Sequence, residues 1–344
     1  MDLFLKKEHN LNHKKSQNGL YFLCLCILLS MPAKAQEDNT AIHPSFRVDL
    51  KGADEESVGK DALIRQRLRI ERSKGMDLNI IDTEGRTGDG GIKETSQNRK
   101  WINIASKEGF PFTKEGLINA SKSGNFNAVE ALINAGIPVN INNIFNFTPL
   151  MAAISKNQVN IAKYLISKGA DVNLQSNKGE TALIIAASKN HGASFNLLID
   201  SGVELDRPDL DGRTALYFTV QNENIPMSSI LMAMGADINK SNRFLSSPLM
   251  VASWKGNVKL VNRLIKKGAH INARDLNGNT PLILAVSYGQ YEVCKILLEQ
   301  KVDPNQKNRN NWPVIDLAIQ YGHMDIANLL LAFGADRPKV LGTH

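Results

Sequence analysis

The sequence has little cysteine and lacks the short motifs that mark common enzyme classes. Three of its 344 residues are cysteine, and two of them, Cys24 and Cys26, lie in a leader that we expect to be removed. Cys294 then remains alone, which excludes an intrachain disulfide, and its apolar helical surroundings favour a small core residue over a reactive thiol. No nucleophile elbow, P-loop or dinucleotide-binding glycine pattern occurs. We therefore expect neither an enzyme nor a bound cofactor.

Histidine is sparse and scattered, which argues against a metal site. The histidines outside the leader lie far apart in the sequence, at His43, His191, His270, His323 and His344. Zinc sites need ligands at short, fixed spacings, so no metal ion is expected. Aspartates recur at multiples of one fixed interval, as at Asp171 and Asp237, and this regularity is typical of turns rather than of a catalytic pair.

The chain also lacks a strong excess of either charge. It carries 41 basic and 34 acidic residues, and removal of residues 1–35 takes away five lysines and two acidic residues. A net charge near +4 remains, which does not indicate nucleic-acid binding.

The N-terminus has the three parts of a secretory signal peptide. Lysines at positions 6, 7, 14 and 15 precede an apolar run over residues 20–29, and Ala33-Lys34-Ala35 follows. The run is shorter than the roughly 20 residues that span a bilayer. The pattern predicts cleavage between Ala35 and Gln36 and a periplasmic or secreted protein. Two alternatives remain open: an uncleaved leader that anchors the chain in the membrane, and a buried N-terminal helix.

Residues 36–108 form a polar segment between the leader and the rest of the chain. Apolar and arginine residues alternate over residues 61–74, which predicts a helix with a basic, solvated face. Residues 75–87 then repeat a glycine-to-threonine spacing found later in the chain. The segment is interpreted as a linker, partly helical, or as a decayed repeat, and it is too short and polar to enclose a substrate pocket by itself.

The rest of the chain repeats with a 33-residue period and without an insertion. The repeated triplets are Thr148-Pro149-Leu150, Thr181-Ala182-Leu183, Thr214-Ala215-Leu216, Ser247-Pro248-Leu249 and Thr280-Pro281-Leu282, with Pro313-Val314-Ile315 in the next position. A hydroxyl followed by proline suits a helix N-terminus. A small residue stands five positions later and glycine or asparagine nine positions later, except at Glu223. A second apolar helical run follows in each unit and ends at glycine, except at Lys301. A sustained period of this length indicates stacked structural repeats.

This pattern resembles the ankyrin repeat over residues 109–340, with residues 341–344 as a short tail. The resemblance implies an all-α solenoid of about seven helix-turn-helix units joined by short β-hairpin-like loops, with residues 110–142 as the N-terminal cap. The histidine that the family places after the triplet is absent here, which puts in doubt the hydrogen bonds between repeats that it usually makes. The unit at 209–241 has three irregular residues, and we expect looser packing there. They are Thr219, Glu223 and Pro226.

The resemblance implies a non-catalytic module that binds a partner protein through a concave face formed by the loop tips and the first helices. No nucleic acid or small-molecule substrate is expected, and membrane contact is expected only if the leader stays attached. Two alternatives remain: a membrane-tethered spacer for assembly, and an exported effector that binds a host protein.

The family's binding positions, transferred by register, place the candidate site in the C-terminal half of the array. In the N-terminal units these positions are mostly small or polar, with Phe145 and Phe147 as exceptions. Aromatic side chains and arginine often dominate interface energies, and we expect Trp254, Tyr288 and Tyr321 to form one exposed strip. The alternative is that these rings pack between repeats. The candidate residues are Arg243, Phe244, Trp254, Lys255, Tyr288, Trp312 and Tyr321.

Overall fold

The computed structural model describes residues 95–337. The predicted leader, its cleavage site, the predicted helix at 61–74 and the tail at 341–344 lie outside these residues. Within residues 95–337 the chain forms fifteen helices and no strand, with one isolated β-bridge between Lys307 and Pro313. The expected all-α fold class is confirmed.

The helices alternate along the chain between the first and the second helix of each unit. After α1 (Arg99–Lys107), each unit contains a first helix and a second helix joined by a tight turn. The first helices are α2 (Lys114–Ser123), α4 (Pro149–Ser155), α6 (Ala182–Ser188), α8 (Ala215–Gln221), α10 (Pro248–Lys255), α12 (Pro281–Ser287) and α14 (Val314–Gln320). The second helices are α3 (Phe126–Asn134), α5 (Val159–Ser167), α7 (Gly192–Asp200), α9 (Ile225–Ala233), α11 (Val258–Lys266), α13 (Tyr291–Glu299) and α15 (Met324–Ala332).

Each unit packs on the next, first helix against first helix throughout and second helix against second helix in most units. The buried apolar side chains of all units join in one continuous core. The small residue five positions after the threonine lies at the centre of this core, as at Ala153 and Ala285, which are fully buried. A larger side chain there would hold neighbouring helices apart, so the repeated alanine sets their close approach.

The hydroxyl residues of the repeat start the first helices as expected. The side-chain oxygen of Thr181 accepts a hydrogen bond from the backbone N–H of Ile184 at 3.2 Å, and the same bond recurs at Thr148, Thr214, Ser247 and Thr280. These residues are buried. Each satisfies a helix-terminal N–H that the core would otherwise leave without a partner. At α14, Pro313 takes the position and offers no side-chain acceptor.

Glu223 and Lys301, the two exceptions to the glycine pattern, have the same backbone conformation as the glycines of the other units. Glu223 has a φ of 56° and Lys301 a φ of 60°, so both adopt the left-handed conformation that glycine or asparagine adopts in the other units. This conformation strains most side chains by about 1 kcal/mol. The packing of neighbouring units therefore imposes the turn even where the local residue disfavours it.

The array begins before residue 109, where the sequence pattern places its start. Helix α1 (Arg99–Lys107) packs against α3. Its Ala105 is fully buried, and Trp101 and Ile104 contact the same core. The sequence pattern misses α1 because no threonine-proline-leucine triplet stands at the 33-residue spacing before it.

The irregular unit at 209–241 keeps the helix lengths of its neighbours, seven residues in α8 and nine in α9. The hydroxyl of Thr219 is buried but donates a hydrogen bond to the carbonyl of Leu216 at 3.0 Å. Pro226 lies in the first turn of α9, where a missing N–H costs nothing. The unusual residues thus change side chains and leave the backbone regular.

The last described unit retains apolar residues at positions that other units cover. Val286 and Leu298 are buried by the unit that follows them, whereas Ile319 and Leu331, at the equivalent positions of the last unit, are 38% and 39% exposed. The N-terminal end differs, because α1 covers α3 there.

Candidate partner-binding surface

Each connection between units contains a five-residue loop closed in the same way. We call these six segments the tip loops: residues 143–147, 176–180, 209–213, 242–246, 275–279 and 308–312. In the fourth loop the Asn242 side chain accepts hydrogen bonds from the N–H groups of Phe244 and Ser246, both at 2.9 Å. The corresponding Asn, Ser or Asp makes equivalent bonds in the other tip loops. Short polar side chains favour such local bonds to the backbone, so each loop is rigidly shaped.

Backbone hydrogen bonds join each tip loop to the next. The N–H of Arg243 donates to the carbonyl of Asp211 at 2.8 Å, and the N–H of Leu276 donates to that of Phe244 at 3.1 Å. Equivalent bonds connect the other neighbours. The six tip loops therefore form one continuous row with a fixed spacing.

Asparagine side chains that precede the tip loops in the chain form a second set of hydrogen bonds between units. Asn239 accepts a hydrogen bond from the N–H of His270 at 2.8 Å and donates one to the carbonyl of Gly268 at 3.2 Å. Asn140 and Asn305 make the same pair of contacts. Hydrogen bonding between repeats is thus present although the family's usual histidine is absent.

Three of the predicted binding residues come together at the ends of two first helices. The ring centroids of Trp254 and Tyr288 are 5.6 Å apart at an interplanar angle of 46°. The Lys255 ammonium lies 4.8 Å from the Trp254 ring, within cation–π distance. Trp254 packs partly against the core, whereas Tyr288 is 52% exposed. The face of the cluster that reaches solvent is therefore mainly that of Tyr288.

Tyr321 does not extend this cluster into one strip. It is as exposed as Tyr288, but among the described residues its ring is paired only with His323 of its own unit, 6.5 Å away. Lys255, Tyr288 and Tyr321 occupy equivalent positions of successive units, and Trp254 lies one residue earlier. The structure thus places an aromatic pair and a separate exposed tyrosine where the sequence predicts a row of three rings.

The other candidates lie on the tip loops. The Arg243 guanidinium stacks 4.8 Å from the Phe244 ring, and its Nη1 lies 2.9 Å from a carboxylate oxygen of Asp211 in the preceding loop. Trp312 closes the last tip loop through backbone hydrogen bonds with Asn308, and its side chain is exposed. These side chains are ordered by their own neighbours and remain accessible.

The sequence pattern misses several exposed apolar residues on the tip row. Ile144 and Leu210 follow the first residue of their tip loops and are 65% and 73% exposed, more than any of the predicted candidates with a stated exposure. Phe145, Leu245 and Leu276 are also exposed. Three of them follow a pattern in the sequence, because Ile144, Leu210 and Leu276 recur at the same position of every second tip loop.

The described residues contain no group of three or more histidines, cysteines or carboxylates arranged to hold a metal ion. Burial raises the pKa of Cys294 to about 12, so this thiol is protonated and inert at neutral pH. Across residues 95–337 no helix reaches the length and apolarity needed to cross a bilayer.

Paired short helices stacked in register and joined by tip loops define a helical repeat protein. Ankyrin repeats, in a family model of three copies, match residues 100–176, 117–209, 169–242, 196–275 and 249–338. These matches cover more than half of the chain, so the protein belongs to the ankyrin repeat family. Such repeats are typically non-catalytic modules that bind other proteins.

A solved structure supports the same assignment. The chain is similar to the human ASB11 ankyrin repeat domain in its crystal structure, with a TM-score of 0.55 and 26% sequence identity, over 64% of this chain and 99% of that domain. A search of curated protein sequences gave no significant match.

Proposed function

We propose that this protein binds a partner protein, without catalysis, through the concave face that its ankyrin repeats form in an extracytoplasmic compartment. The single observation that carries the binding proposal is the ordered, accessible cluster of Trp254, Lys255 and Tyr288. Aromatic side chains bury a large area on binding and lose little conformational freedom. Because neighbours already hold these rings, binding would require little further ordering.

The test is replacement of Trp254, Tyr288 and Tyr321 together by alanine, followed by crosslinking capture of partners from the source extract. We expect the triple variant to lose the captured protein and to keep the helical circular dichroism of the wild type, with a lower unfolding midpoint because Trp254 packs partly against the core. Alanine at Phe126 and Phe333 provides the matched control, because both rings are 40% exposed and lie in or beside second helices. Capture that persists in the triple variant would place the site elsewhere, and loss of the fold would show that the rings belong to the core.

The compartment is proposed from the leader, since lysines, a short apolar run and Ala33-Lys34-Ala35 are typical of a cleaved signal. Mass spectrometry of the N-terminus of the native protein should find Gln36 as the first residue. Residues 1–35 still attached, with the protein retained in membranes after a high-salt wash, would favour a tethered spacer instead. Detection in culture supernatant would favour an exported effector.

A further inference from the structure

Charge divides the row of connecting segments into two halves. The three segments before residue 215, at 135–148, 168–181 and 201–214, contain four basic and six acidic residues. The three after it, at 234–247, 267–280 and 300–313, contain seven basic and three acidic residues. The three C-terminal connecting segments are therefore basic, and we call them together the basic half, although the chain without residues 1–35 is nearly balanced.

Little of this positive charge is neutralised within the described residues. Arg243 pairs with Asp211, and it is the only basic residue of the three C-terminal segments that forms an ion pair there. Arg274 and Arg309 donate to backbone carbonyls of the tip row, which orders them without cancelling their charge. The Asp275 carboxylate accepts three hydrogen bonds from Asn277 and Asn279 within its own tip loop.

An apolar side chain is held under strain in the first tip loop of this basic half. Leu245 has a φ of 59° and is 47% exposed. The equivalent positions of the other tip loops hold Gly179, Gly212 and Gly278, or asparagine at 146 and 311. Leucine is disfavoured in this conformation, and strained, exposed residues cluster at functional sites. The side chain faces solvent, so core packing does not account for the leucine.

We infer that the basic half binds an acidic segment of the partner protein that carries apolar side chains, with Leu245 as an apolar contact. This inference rests on the proposed function and names the chemistry of its partner. Oppositely charged surfaces steer association and set specificity. Leu245 and Leu276 favour a protein segment over a nucleic acid, because aliphatic side chains need an apolar partner.

Selection of random displayed peptides on the immobilised full chain tests the chemistry without knowledge of the partner. Enriched peptides should contain more acidic and apolar residues than the starting library, and their binding should weaken as salt is added. Enrichment without an acidic excess would overturn the inference and leave the proposed function standing. No enrichment, together with no protein captured from the source extract, would overturn both. Tight binding of single-stranded DNA with no peptide enrichment would also overturn the inference.

A pair of charge reversals locates the contact. Lys240→Glu with Lys307→Glu changes two exposed side chains of the basic half, and Lys259→Glu with Lys295→Glu makes the same total change on second helices. We expect the first pair to weaken binding of an enriched acidic peptide about tenfold or more and the second to change it less than about twofold. Equal losses from both pairs would show a long-range charge effect and overturn the inference.

Leu245→Gly separates binding from folding. Glycine adopts the left-handed φ of this position freely, so the unfolding midpoint should stay unchanged or rise. Peptide affinity should fall, because the apolar contact is removed. Wild-type affinity in this variant would overturn the role of Leu245.

Discussion

Leu282 shows what a single residue contributes to the stack. It is fully buried in the common core, so Leu282→Ala should lower the free energy of unfolding by about 2–5 kcal/mol, the range for large-to-small changes in cores. Denaturant unfolding measures this loss. Leu276→Ala is the matched control, because its side chain is about half exposed. A loss below about 0.5 kcal/mol at Leu282 would contradict the register of the repeat.

Cys294 offers a chemical probe of the same core. Burial is the main cause that raises its pKa to about 12, and the nearby Asp325 carboxylate adds to the effect. A thiol with this pKa has almost no thiolate between pH 7 and 9, and the thiolate is the reactive form. Cys294 of the native protein should therefore resist alkylation by iodoacetamide over this range and react fully once the protein is unfolded. Rapid modification of the native chain, detected by mass spectrometry, would mean that the second helix α13 opens readily.

At the scale of one helix, the buried hydroxyl residue at the N-terminus of a first helix makes a contribution to the free energy of unfolding that can be measured. Thr181→Ala removes the acceptor for the Ile184 N–H, and loss of such a cap typically costs about 1 kcal/mol. Chemical denaturation should show this loss. Ser287→Ala near the end of α12 provides a control with no N-terminal cap to lose. Equal effects from the two changes would argue against capping as the cause.

The sequence predicts most of the helices because each has a local signal. The threonine start, the alanine and the left-handed turn lie within one unit, so the 33-residue spacing makes them visible. Helix α1 escapes prediction because it has no such start. Glu223 and Lys301 have the predicted turn against their own preference, since neighbouring units impose it.

The candidate site is less predictable, because exposure depends on neighbours that lie one repeat away in the sequence. Trp254 and Tyr288 contact each other across two units, and neither position shows this from its own segment. The exposed Leu210 looks like a core residue in the sequence, and only the tip-loop bonds show that it faces solvent. Likewise, the strained backbone of Leu245 is known only from its φ angle, which the sequence does not give.

At the scale of the whole molecule, stability is shared between neighbouring units. The unit of α14 and α15 contacts a described neighbour on one side only, and its Ile319 and Leu331 are partly uncovered. Local opening is easiest where few contacts must break. Hydrogen exchange should therefore be faster in α14 and α15 than in α12 and α13. Equal protection in both pairs would indicate that another part of the chain or a partner covers the end.

The asparagine bridges described between units have a consequence for how such an array can change its length. Asn239 belongs to one unit and bonds to the backbone of the next, while its own unit receives an equivalent bond from Asp206 in the unit before. The segments that carry Asn140, Asn173, Asp206, Asn239 and Asn305 each bring one bridging side chain that accepts from a backbone N–H of the next unit. Tandem duplication of such a 33-residue segment would keep each bridging acceptor in register with an N–H group, whereas an insertion of any other length would separate the bridge at the junction from its partner.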